Sequence, residues 1–252
     1  MTPMSDRGVV IVTGASRGIG AATARLAADA GYAVCVNYRD SADAAARVVA
    51  DIVARGGRAL AVRADVASEP DVVALFETAT RELGPLSGLV NNAGMLERQM
   101  RVDAMDAARL TRVLAVNVVG AFLCAREAVR RMSTAHGGRG GAIVNVSSAA
   151  ARLGSPNEYV DYAAAKGAID TMTIGLSKEV GGEGIRVNAV RPGLIDTDIH
   201  ASGGDPGRVE RLRAGVPLGR GGDADEVARA IVWLLSEATY STGALLDVSG
   251  GR

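Results

Sequence analysis

Seven short runs rich in β-branched residues punctuate the chain: VVIVT (9–13), AVCVNY (33–38), ALAVRA (59–64), SGLVNN (87–92), AIVNVS (142–147), IRVNAV (185–190) and ALLDVS (244–249). Between them lie Ala-rich segments whose apolar residues fall three and four apart, as at Ala42, Ala45, Ala46, Val49, Ile52 and Val53. That is the spacing of a helix that buries one face. A strand that is apolar on both sides needs cover on both sides, and strand–helix alternation supplies it through parallel crossovers. The expectation is an α/β chain: a doubly wound, seven-stranded parallel sheet of Rossmann type with helices on both faces. No Pro-rich, Ser-rich or charged linker and no internal repeat interrupts the 252 residues, so residues 1–252 read as a single domain. In such a sheet, ligands sit beyond the carboxyl ends of the strands, near the point where strand order reverses.

Glycine is placed where that rule puts a site. The 32 glycines are nearly double an average share, and many directly follow a strand-like run, at TGASRGIG (13–20), NNAG (91–94), RPG (191–193) and SGG (249–251). The first of these turns opens a helix-like segment, so its backbone N–H groups and the positive end of the helix dipole would face a pyrophosphate. The gap between Gly14 and Gly18 is too wide for G-x-G-x-x-G, and no Gly-Lys-Ser/Thr follows as in a Walker A loop.

Charge and hydropathy narrow the partners. Lys plus Arg number 28 and Asp plus Glu number 28, so there is no basic excess of the kind that marks nucleic-acid or anionic-membrane binders. The cluster Arg126, Arg130, Arg131 and Arg139 reads as a solvated helix face and loop, with docking of a phosphate-bearing substrate or carrier as the alternative. Apolar runs such as VVIV (9–12) and AIVWLL (230–235) are too short to span a bilayer. The opening MTPMSDRG has no apolar h-region, and the expectation is a cytoplasmic protein without a membrane partner. Cys35 and Cys124 each lie within an apolar run and read as reduced core thiols.

The stretch EYVDYAAAKGAID (158–170) places two tyrosines before one lysine. Four residues on a helix advance about 6 Å and turn little more than once, so Tyr162 and Lys166 stand side by side. Tyr159 is about 11 Å from Lys166 along the axis, which suits packing or a substrate wall. A phenol can give a proton to a developing alkoxide, and a neighbouring ammonium lowers its pKa from the usual value near 10.

The spacing T-G-x-x-x-G-x-G closely resembles the nucleotide loop of the short-chain dehydrogenase/reductase family. The resemblance continues in order at NNAG, Asn117, Ser147–Ser148, Tyr162-x-x-x-Lys166, RPG with Thr197, and Thr242–Gly243, covering residues 9 to 251. It implies Tyr162 as general acid/base, and Lys166 binding the nicotinamide ribose while lowering the tyrosine pKa. It further implies Ser148 on the substrate oxygen and Asn117 holding a relay water. Alignment with a single catalytic serine favours Ser148 over Ser147, although Ser148 precedes Tyr162 by fourteen residues, one more than is usual in relatives. The added residue is expected in the loop RLGSPNEYVD.

The same resemblance implies that Gly14, Ser16, Arg17, Gly18, Ile19 and Gly20 hold the pyrophosphate side of the cofactor, and that Asp65 and Val66 meet the adenine. Asn92, Ala93 and Gly94 would line the cofactor, and Pro192, Gly193, Ile195 and Thr197 would hold the carboxamide. Tyr38 stands where NAD-type relatives carry an acid, and Arg39 follows; an Arg accommodates the 2′-phosphate. With Arg17 in the Gly loop, this favours NADP(H), with NAD(H) as the alternative. Asp40, beside Ser41, is expected to cap the next helix. Asp196, Asp198 and His200 alternate as metal ligands can, but only one His is present and the segment looks like the start of a substrate loop, so no metal is expected.

The Gly-rich segment Asp198–Leu218 suits a lid over a small carbonyl or alcohol substrate. Single-domain members such as sugar 1-dehydrogenases and 3-oxoacyl-carrier-protein reductases are the nearest resemblance. Enoyl reductases carry a longer Tyr–Lys spacing, so double-bond reduction is disfavoured. Family members form homotetramers or homodimers, and the same is expected here. The rival reading is a non-catalytic NADP-binding regulator or scaffold.

Overall fold

The computed structural model describes residues 7–197, 203–205 and 207–252; the first six residues, where no leader was expected, lie outside it. Seven strands form one parallel sheet: β1 (Val9–Val12), β2 (Ala33–Tyr38), β3 (Ala59–Arg63), β4 (Leu86–Asn91), β5 (Gly141–Val146), β6 (Ile185–Pro192) and β7 (Leu245–Val248). Their order is β3-β2-β1-β4-β5-β6-β7, so the winding reverses between β1 and β4. The helices are α1 (Gly18–Asp29), α2 (Ala42–Ala54), α3 (Glu69–Leu83), α4 (Ala107–Leu114), α5 (Gly120–Met132), α6 (Ala150–Leu153), α7 (Val160–Val180), α8 (Arg208–Leu212) and α9 (Ala224–Ser236). The strands lie within one or two residues of the runs that predicted them.

Alternation of side chains along each strand divides the core in two. Val10, Val12, Val34, Val36, Val90 and Val144 pack beneath α1, α2 and α9. Val9, Ile11, Cys35, Leu89, Ile143 and Val187 face the other way, against Leu75 and Phe76 of α3, Cys124 and Met132 of α5 and Ile169 and Met172 of α7. Both cysteines are free and buried, and burial pushes each thiol up to about 12.

Two expectations change once the chain is folded. A π-helical turn, Ala115–Val119, fuses α4 and α5 into one helix, Ala107–Met132, which by length and composition alone could cross a bilayer. Short apolar runs concealed it. In the fold this helix lies against β4 and α3. It also carries Arg109 and Glu127 inside the protein. The arginines predicted to be a solvated face are only partly so: Arg130 is 60% exposed, yet Arg126, Arg130 and Arg131 also pair with that carboxylate at 3.2, 2.9 and 2.5 Å. Hydrogen bonds and charge from these arginines draw the Glu127 pKa down against its burial.

A buried polar chain sets the height of α7 over the sheet. Asn91 Nδ2 donates to Asn145 Oδ1 at 3.0 Å, Asn145 Nδ2 donates to Thr173 Oγ1 at 2.9 Å, and Thr173 Oγ1 donates to the Ile169 carbonyl at 2.8 Å. Truncating Asn145 removes two of these bonds and leaves their partners away from water. Asn145→Ala is expected to lower the free energy of unfolding by about 1–3 kcal/mol, read from urea denaturation; no loss would mean that the chain does not anchor the helix.

Candidate active site

The reversal between β1 and β4 opens a crevice that side chains hold in shape. Thr13 Oγ1 donates to the Val90 carbonyl at 3.3 Å and accepts from the N–H groups of Asn92 and Ala93, both at 3.0 Å. Asn92 Nδ2 donates to the carbonyls of Thr13 and Gly14 at 2.8 and 3.1 Å. From β2, Asn37 Oδ1 accepts from Gly14 N–H at 3.1 Å. Gly14 has φ +61°, and a Cβ on Gly20 would sit 2.6 Å from the Gly14 carbonyl oxygen. Only a bare backbone closes this turn.

The turn leads into α1, whose N-terminal residue Arg17 makes no side-chain cap. The first N–H groups of α1 and the positive end of its dipole are therefore available to an anion. Gly14, Ser16, Arg17, Gly18, Ile19 and Gly20 line a cleft of about 410 Å³ together with Arg39, Asp65, Val66, Asn92, Ala93, Gly94 and Thr197. The shape and donor set fit a dinucleotide: uncapped amides at one end, with Val66, Val116, Arg17 and Arg39 in the lining. The cleft also includes Asn37, whose Nδ2 donates to the Ala64 carbonyl at 3.0 Å. No glycine or charge signal marked Asn37 in advance.

Asp40 does not cap α2. Ser41 holds the N-terminal position without a side-chain bond, and Asp40 Oδ2 pairs with Arg39 Nε at 2.7 Å, with 66% and 54% of the two side chains exposed. Exposed pairs of this kind are weak, so a phosphate can take the Arg39 guanidinium from Asp40.

A second cavity of about 470 Å³ adjoins the first and shares Ile19, Asn92, Gly94, Leu96 and Thr197 with it. Ser148, Tyr162, Lys166, Pro192, Gly193 and Ile195 line this cavity. Ser148 lies near enough to the Tyr162 phenol to draw its pKa down, whereas the Ser147 hydroxyl donates to the Lys166 carbonyl at 3.2 Å. Lys166 Nζ donates to the Val146 carbonyl at 2.7 Å and stands 5.5 Å from the centre of the Tyr162 ring. Between Ser148 and Tyr162 the chain turns through Ser155 and Asn157, both with positive φ. Ser155 and Pro156 thereby reach the cavity wall, as do Leu153 and Glu158. A turn is readable in GSPN; which cavity it lines is not.

The electrostatics depart from the sequence reading. Burial pushes the Tyr162 phenol up to about 12, with the Ser148 hydrogen bond pulling the other way. Burial also lowers Lys166 to about 8, against the raising effect of the Asp170 carboxylate. With the protein's own groups alone the phenol is held protonated, because desolvation outweighs the attraction expected of the ammonium.

Asn117 occupies the π turn, away from both cavity walls. Its Nδ2 donates to the carbonyls of Met95 and Val113 at 3.0 and 2.9 Å, and its Oδ1 accepts from Met95 N–H at 3.2 Å. It stands directly behind Gly94, where an added Cβ would meet Oδ1 at 2.9 Å. Tyr159 caps the start of α7, lines the second cavity, and donates its hydroxyl to the Gly203 carbonyl at 3.3 Å. Among the described residues there is no group of three or more metal-type ligands. Asp198 and His200, and with them part of the expected lid, lie outside the described residues.

The buried lysine has a measurable signature. Its folded pKa of about 8 lies below its ordinary 10.5, so between these values the folded chain binds fewer protons than the unfolded one. Stability then rises with pH: the cost of a buried charge is fully present below about pH 8 and is relieved on the way to 10.5. Relative to Lys166→Met, the native protein is expected to gain about 2–3 kcal/mol between about pH 7.5 and 10, measured by urea unfolding. A constant difference would show that Lys166 is not desolvated.

The chain can now be placed among known proteins. Residues 14–252 match a family model described as Enoyl-(Acyl carrier protein) reductase. The chain is 57% identical over 245 residues to the uncharacterized oxidoreductase YgfF of Escherichia coli K12, covering 97% of this chain and 99% of the relative. It is 43% identical over 246 residues to a cis-4-hydroxycyclohexanecarboxylate dehydrogenase of Sinomonas cyclohexanicum, covering 96% and 95%. The fold superimposes on a short-chain dehydrogenase from Burkholderia cenocepacia J2315 in complex with NADP, with TM-score 0.89, 33% identity and 98% of each chain covered. With a parallel sheet in the order β3-β2-β1-β4-β5-β6-β7 and these matches along nearly its whole length, the chain belongs to the short-chain dehydrogenase/reductase family.

Proposed function

We propose that this oxidoreductase interconverts a carbonyl and a secondary alcohol, prefers NADP(H) to NAD(H), and uses Tyr162 as its general acid/base. One observation carries the reading. Tyr162, Ser148 and Lys166 line one cavity of about 470 Å³ that adjoins the dinucleotide cleft and shares lining residues with it. Bound in that cleft, NADP(H) supplies or accepts the hydride. The protein supplies the rest.

In the reducing direction the substrate oxygen accepts hydrogen bonds from Ser148 and Tyr162. These donors meet negative charge as it develops, in a site where burial strengthens their effect. Tyr162 gives up its proton to the alkoxide, and the Lys166 ammonium, against the same ring, offsets the phenolate left behind. A phenol held up to about 12 is a protonated donor throughout the neutral range. Oxidation runs the same path backwards and requires the phenolate, so higher pH favours it. The four-residue spacing of Tyr162 and Lys166 supports carbonyl chemistry over double-bond reduction.

Arg17 and Arg39 line the ribose end of the cleft without a strand-end carboxylate, which supports the NADP(H) preference. Assembly as a homotetramer or homodimer belongs to the same proposal. Leu114, Val119 and Phe122 on the fused helix, and Ile174 on α7, are large apolar side chains left exposed.

Tyr162→Phe is expected to keep cofactor affinity and lose turnover by about 10²-fold or more, read from fluorescence titration and steady-state rates with a carbonyl panel. Equal turnover would remove Tyr162 from the chemistry. Arg17→Ala combined with Arg39→Ala should weaken NADPH by about 10- to 100-fold and leave NADH nearly unchanged in the same titration. An equal loss for both cofactors would overturn the phosphate clamp.

A further inference from the structure

Arg208 stands in the wall of the substrate cavity with part of its hydrogen-bonding capacity unspent. It begins α8, and its side chain is only 11% exposed. Nη2 donates to Glu158 Oε2 at 2.5 Å, and the guanidinium carbon lies 5.2 Å from the centre of the Tyr159 ring. Nη1 is buried and has no partner among the described residues. A guanidinium cannot discharge itself by losing a proton, and its planar fork of N–H groups matches a carboxylate. A buried N–H without an acceptor is costly, and native proteins rarely leave one without reason.

The other buried atoms without partners are Thr23 Oγ1, Arg109 Nη2 and Asp170 Oδ1. None of these residues lines either cavity. Arg208 does, alongside Tyr162 and Ser148. Tyr159, on which it stacks, precedes Tyr162 by three residues, about 4.5 Å of helical rise. The cation therefore flanks the proton donor from the N-terminal end of α7. Charge points the same way: Lys166 and Arg208 are cationic side chains of the lining, and Glu158 is its single carboxylate side chain. Glu158 is 24% exposed and is shared with Arg211 at 3.9 Å.

We infer that Arg208 is the second anchor for the substrate and binds the carboxylate of a small oxo acid, or of the corresponding hydroxy acid, whose reacting carbon lies at Tyr162. The inference rests on the carbonyl–alcohol reading above. The carboxylate fills the free Nη1 position and shares the fork with Glu158. A neutral ester or amide offers the same shape and an acceptor but no charge. Arg208 thereby selects substrates that hold an anion at one end and a carbonyl at the other.

The test compares 4-oxopentanoate and 5-oxohexanoate with their methyl esters, using NADPH and NADH, in the native protein, Arg208→Met and Glu158→Gln. The native protein should show kcat/KM at least about tenfold higher for an oxo acid than for its ester, a ratio set by charge-assisted hydrogen bonding. Glu158→Gln should keep or enlarge that ratio, and Arg208→Met should abolish it by raising KM for the acid far more than for the ester, which loses only an uncharged hydrogen bond. If Arg208→Met lowers acids and esters equally, the residue only clasps the segment around Gly203, and the inference falls. It falls equally if the native protein does not distinguish acid from ester, or if the preference survives in Arg208→Met. Should Arg208→Met fail to fold, the native and Glu158→Gln ratios decide. Absence of turnover with any probe would count against the role of Tyr162 and not against Arg208. Calorimetric binding of pentanoate against pentanamide to the NADP-loaded protein then reads the anchor by itself: tighter pentanoate supports it, and equal binding overturns it.

Discussion

A single threonine hydroxyl closes the point at which this sheet changes direction. Thr13 Oγ1 is shared between the Val90 carbonyl and the amides of Asn92 and Ala93, so the ends of β1 and β4 cannot part. A parallel sheet whose order reverses must leave a gap there, and a gap lined by unpaired backbone would be unstable. Thr13, Asn92 and Asn37 satisfy that backbone from the side and leave the helix amides free. The nucleotide cleft is the space that remains, and the substrate cavity opens from it.

The second constraint is dielectric. Lys166 is buried and Tyr162 half-buried, and desolvation moves their pKa values towards the neutral form of each: the phenol up to about 12, the amine down to about 8. Neither shift needs a special partner. Both follow from packing α7 onto β5 and β6, with the Asn91–Asn145–Thr173 chain fixing its height. The protonation state of Tyr162 and Lys166 is thus a product of the core as much as of the two residues, and Asp170, tied to Arg191 at 2.8 Å, is the charge that keeps Lys166 from falling further.

Features carried by local spacing were legible in the sequence. The seven strands announce themselves as short β-branched runs, the glycine turn by its place after the first of them, and the Tyr162–Lys166 pair by its helical interval. Features that depend on distant partners were not. Asp40 sits where a cap is common, yet Arg39 draws it away. Arg126, Arg130 and Arg131 look like a solvated stripe until Glu127 is found buried among them. The polarity of the Tyr162 environment, the π turn around Asn117 and the unspent N–H of Arg208 each depend on what lies across the fold, and no periodicity records that.

The loop from Gly154 to Tyr159 has a consequence for how such enzymes diversify. It holds Ser155 and Asn157 in left-handed conformations and hangs between two fixed points, the strand end at Ser148 and the first turn of α7. Ser155, Pro156, Glu158 and Tyr159 line the cavity beside Tyr162, and none of the loop belongs to the sheet. Insertions or exchanges here, even of one residue, can remodel the cavity wall while Tyr162 stays fixed by α7. Chemistry and selectivity are thereby carried on separable parts of one chain, so new substrates can be acquired without rebuilding the machinery that transforms them.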